Sequence, residues 1–160
     1  MANITKNFLR DEKQSTGTPY GTATTLHYAV TTNSSGAVVG SDSASAVASG
    51  DVVRMGIIPA GMRLDDAKAL VSTAWTATMT AKLGFAYVDG VDSTAVPQDD
   101  DYFGAAFAIA TAGRYAAANT AVRPVVLPKD AYLILTAGVT NNAKASDIDV
   151  LVNVTNVGVA

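Results

Sequence analysis

The chain has 160 residues, a net charge of −3, 49% hydrophobic residues, only 16% charged residues and no cysteine. Without cysteine it has no disulfide framework, thiolate metal site or cysteine nucleophile, and its 11 Lys and Arg are scattered singly, which argues against nucleic acid as a partner. The length suits one domain with a real core, and the low charge predicts a surface covered by sister subunits or by a larger assembly.

Residues 1–20, MANITKNFLRDEKQSTGTPY, carry only Ile4, Phe8 and Leu9 as sizeable apolar groups. No core strand is expected there. The segment reads as an extended N-terminal arm that orders on a partner or a neighbouring subunit, with Ile4, Phe8 and Leu9 as its contacting residues, or else as a frayed end. It contains no apolar run of the signal-peptide kind, and no stretch of the chain approaches the roughly 18 apolar residues needed to span a bilayer, so no membrane association is expected.

From residue 21 a single domain is expected to run to residue 160. Leu26, Tyr28 and Val30 alternate with Thr25, His27 and Ala29, giving a first strand with a polar outer face. Residues 31–50 are small and polar, with Asn33-Ser34-Ser35-Gly36 as a turn and Ala37-Val38-Val39 as a short strand of a hairpin. Residues 51–89 hold three strand-like segments. Ile58-Pro59-Ala60-Gly61 supplies the corner between the first two, proline fixing φ and glycine closing the turn. In the second, Ala69, Val71 and Trp75 oppose Lys68 and Ser72, with Leu70 out of place on the polar side. In the third, Met79, Ala81, Leu83, Phe85 and Tyr87 share one parity, which puts Trp75 and Phe85 in one core.

The acidic loop Asp89 to Asp101 comes next. Phe103 and Phe107 are four apart, and Asp99 to Asp101 would suit the positive end of a helix dipole, so one short helix is expected over about 100–110, ended near Gly113. Val122 to Leu127 is extended and stopped by Pro128-Lys129-Asp130. Ala131 to Ala137 is apolar on both parities, the mark of a strand covered on both faces. In the last strand Ile148, Val150, Val152 and Val154 oppose Asp147, Asp149, Asn153 and Thr155, with Leu151 as the exception. The expected fold is all-β, an antiparallel two-sheet β-sandwich of jelly-roll type with about eight strands and at most one short helix.

No catalytic constellation can be assembled from these residues. His27 has no nearby partner in sequence and sits on the polar side of its strand, so a solvent or interface role is expected. Gly-x-Ser-x-Gly, His-Glu-x-x-His and phosphate-binding glycine loops are missing from the sequence. Asp89, Asp92, Asp99, Asp100 and Asp101 form the one carboxylate cluster that could hold Ca²⁺, but they lack the alternating acids and closing glutamate of an EF-hand, and a solvated loop is the plainer account. Tyr87, Tyr102, Phe103 and Tyr115 could line a sugar-binding groove, though such residues are more often core or interface. No enzyme activity and no cofactor are expected.

At Val52-Val53-Arg54-Met55-Gly56-Ile57-Ile58-Pro59-Ala60-Gly61, Leu83-Gly84-Phe85-Ala86, Asp101-Tyr102-Phe103 and Lys129-Asp130-Ala131-Tyr132-Leu133, the chain resembles small head proteins of tailed bacteriophages, specifically capsid decoration or cement proteins. The likeness is one of pattern and strand order over roughly residues 50–157. It implies a protein made in the host cytoplasm that sits on the capsid exterior of the virion as a homo-oligomer, often a trimer, contacting the major capsid protein and bridging capsomers. A receptor- or carbohydrate-binding module of a tail spike or fibre is the alternative from another class.

Overall fold

The computed structural model describes residues 1–5 and 23–158. Among them are ten strands and no helix: β1 (Asn3–Thr5), β2 (Ala23–Thr32), β3 (Val52–Ile58), β4 (Met62–Thr73), β5 (Thr80–Tyr87), β6 (Asp99–Ala108), β7 (Gly113–Ala116), β8 (Val125–Val126), β9 (Ala131–Gly138) and β10 (Ser146–Asn156). One sheet has the order β1-β3-β9-β5-β6 and the other β2-β10-β4-β7, with β8 pairing β4. With β1 and β8 set aside, the remaining eight strands interleave between two four-stranded sheets as in a jelly roll. Every strand pairing is antiparallel except that of β1 with β3.

Side-chain alternation places the core between the sheets. On β10, Ile148, Val150, Val152 and Val154 point inward and are buried, while Asp149, Leu151 and Asn153 face out. On β4 the inward set changes parity between Leu64 and Ala67, because a bulge at Asp65 and Asp66 inserts an extra residue opposite β10. Trp75 and Phe85 are both 1% exposed, as expected from the sequence. The corner after β3 also forms as expected, with Gly61 at φ 78.

Two expectations are corrected. The helix over about 100–110 is strand β6, the edge partner of β5. A spacing of four satisfies a strand's period of two as well as a helix face, so Phe103 and Phe107 never discriminated. Packing decides it, because the Tyr102 ring meets Phe85 edge-on at 5.4 Å and Phe103 at 4.9 Å. Between Leu83↔Gly104 and Phe85↔Asp99 the register of β6 slips, which lets adjacent Tyr102 and Phe103 both be buried. Gly84 is required there: a Cβ would lie 2.0 Å from the carbonyl oxygen of Asp99. The second correction is β1 itself, a strand in the segment where none was expected. Its Ile4 is 1% exposed, and Ala2 N–H donates to buried Asp51 Oδ1 at 2.7 Å.

The loops before β3, after β4 and after β9 are tied together at one end of the sandwich by Asn142. Its Nδ2 donates to Thr32 Oγ1 at 3.0 Å and to Lys144 O at 2.9 Å, and its Oδ1 accepts from Thr76 Oγ1 at 3.1 Å. Val47 O accepts its backbone N–H at 2.8 Å.

Candidate functional site

The five aspartates of the acidic segment fall into two groups. Asp89 and Asp92 lie in the loop between β5 and β6. Lys129 Nζ donates to Asp89 Oδ2 at 2.8 Å and to Val91 O at 2.5 Å, and it stands over the Tyr87 ring at 4.7 Å. The ammonium beside Asp89 holds its carboxyl below the usual range. Asp92 Oδ1 accepts from the N–H groups of Ser93 and Gln98 at 2.8 and 2.7 Å. Asp99, Asp100 and Asp101 instead begin β6, with one carboxylate oxygen of each within 4.8 Å of the others. They do not cap a helix. Lys82 Nζ lies 3.1 Å from Asp100 Oδ2, which raises the lysine, and a hydrogen bond with Asp99 raises the Asp101 carboxyl. Two of these carboxylates, Asp89 and Asp100, thus pair with lysines of the same chain.

Of the three arm residues, Ile4 packs into the chain's own core beside β3, and Thr5 N–H donates to Asp42 Oδ1 at 2.8 Å. Phe8 and Leu9 lie outside the described residues. His27, exposed on β2, meets Asp149 of β10 at 2.7 Å, a partner 122 positions away that the sequence could not show. Tyr87, Tyr102 and Phe103 are core residues, and Tyr115 leans on Phe107 at 5.3 Å, so the four do not form a sugar platform. Burial pushes the Tyr87 and Tyr102 phenols up, and their hydroxyls donate to Val96 O at 2.5 Å and Arg123 O at 2.8 Å.

The two misfits of the sequence, Leu70 and Leu151, meet on the outer face of the β2-β10-β4-β7 sheet. One row across that face runs Ala116, Lys68, Leu151, His27, and the next runs Arg114, Leu70, Asp149, Ala29. Lys68, Leu70, Arg114, Ala116 and Leu151 line a groove of about 320 Å³. Lys68 and Arg114 are exposed and have no ion-pair partner among the described residues, whereas Asp149 is taken by His27.

No protein-family model and no curated protein matches the sequence. A solved structure entitled "Capsid of Ralstonia phage GP4" contains a chain of the same fold, with a TM-score of 0.68 and 12% sequence identity, the match covering 99% of this chain and 99% of that one. At that identity the likeness is one of fold, and it extends from end to end.

The groove has one signal in the sequence, a leucine on the polar parity of two different strands, Leu70 and Leu151. Asn142 carried no such signal, because an asparagine in a polar turn looks solvated until three loops close over it.

Proposed function

We propose that this chain is a structural protein of a bacteriophage virion that sits on the outside of the head, where it decorates and stabilises the capsid by bridging capsomers. The observation that carries the reading is the fold shared over 99% of both chains with a chain from the capsid of Ralstonia phage GP4. The whole sandwich is common to the two. Physical features of the chain support it. Its charge fraction is low for a free surface, and His27, the single imidazole, is engaged by the Asp149 carboxylate on the exterior of a sheet. On this reading the protein is not an enzyme and needs no cofactor.

Its partners are the major capsid protein and further copies of itself, as a homo-oligomer and in the simplest case a trimer. It is made in the host cytoplasm and resides on the capsid exterior. The arm, residues 1–20, is joined to the sandwich domain, residues 21–160, through Ile4, and Phe8 and Leu9 contact the capsid or a neighbouring subunit. Purified protein added to heads assembled without it should co-sediment with them at a fixed copy number. Failure to bind heads, together with binding to host-surface glycans, would move the protein to the tail.

A further inference from the structure

We propose that the groove on the β2-β10-β4-β7 face is a self-assembly socket that receives the acidic β5–β6 loop of a second copy of this chain. The inference rests on the reading above, that the protein works as a homo-oligomer. The groove offers two half-buried leucines, Leu70 and Leu151, flanked by Lys68 and Arg114, which have no carboxylate partner among the described residues. Such an arrangement suits an apolar side chain carried between acids.

The loop has that composition. Val91 is 62% exposed and stands between Asp89 and Asp92, with Val88 38% exposed and Asp99 to Asp101 just beyond. It is also held in shape before any partner arrives. Lys129 bridges Asp89 and the Val91 carbonyl, Asp89 Oδ1 accepts the Val91 N–H at 3.0 Å, and Asp92 Oδ1 fixes Ser93 and Gln98. A prearranged loop loses little conformational entropy on docking. Around it the acids outnumber Lys82 and Lys129, so the loop end is anionic where the groove is cationic.

The two surfaces belong to different sheets, so the contact is head-to-tail. Repeated by a rotation that closes, it makes a ring. The complementary charges also predict association that weakens with salt.

The test measures the mass of the purified full chain by sedimentation velocity at low and high salt, beside its binding to heads lacking the protein. Wild type should self-associate, less so at high salt. Lys68→Glu with Arg114→Glu, both at exposed positions, should keep the melting temperature while weakening association by about tenfold or more, as like charges then face each other. Adding Val91→Lys to that pair should restore association. Wild-type association in the double variant, no recovery in the triple variant, or a wild type that stays monomeric would each overturn the socket. Head binding reports separately: protein that associates through the socket yet ignores heads overturns the virion reading and leaves the socket standing.

Discussion

Asn142 Nδ2 donates to Thr32 Oγ1 at 3.0 Å, and both side chains are buried, 110 positions apart in the chain. Asn142 also accepts from Thr76 Oγ1, so one amide joins three loops at one end of the sandwich. Gly36 packs so closely on it that a Cβ would sit 2.3 Å from the Asn142 carbonyl oxygen. Replacing Asn142 with Ala leaves buried partners unsatisfied and should cost about 2–3 kcal/mol, read by urea denaturation. A loss below about 0.5 kcal/mol, the range of ordinary surface substitutions, would show that these loops are independent.

Phe85 is the centre of the aromatic contacts, edge-on to Tyr87 at 5.8 Å and to Tyr102 at 5.4 Å. Phe85→Ala should cost roughly 3–5 kcal/mol. A change under about 1 kcal/mol in the same denaturation experiment would contradict the register of β5 against β6.

Ile4 is buried beside β3 and its strand is pinned at both ends, by Asp51 to Ala2 and by Asp42 to Thr5. Ile4→Ala should therefore destabilise the sandwich by about 2–5 kcal/mol. This corrects the expectation that residues 1–20 hold no core strand. A chain starting at Gly21 should melt earlier than the full chain, and equal melting temperatures would contradict the docking of β1.

The sequence was legible where one face is buried and the other wet. Val150 and Val152 between Asp149 and Asn153 leave no other register for β10. It was ambiguous at β6, where small alanines carry little pattern and the aromatic spacing suits either period. Parallel β1 could not be read, because three residues show no periodicity and their partner Val53 is 49 positions from Ile4. Asp99 to Asp101 looked like a helix start, since their true environment, the edge of β5 with Lys82 alongside, is made by tertiary pairing.

The raised Asp101 carboxyl gives a pH prediction. A group that holds its proton more tightly when folded stabilises the fold at low pH, and that contribution is lost as pH rises from the ordinary carboxylate value of 3.8 through the folded one. Asp101→Asn keeps a donor toward Asp99 without the charge. Its melting temperature should exceed wild type by more at pH 7 than in acid. Equal differences at both pH values would contradict the raised Asp101 carboxyl. Chelation of Ca²⁺ should leave the wild-type melting temperature unchanged, since Lys82 already pairs with Asp100 and Lys129 with Asp89. A fall of many degrees would instead make the cluster a metal site.

The most direct measurement is a reconstruction of phage heads with and without this protein. The expected difference is density for a two-sheet sandwich on the outer surface, at sites between neighbouring capsomers. Identical head surfaces, with the sandwich density found on the tail, would contradict the decoration role.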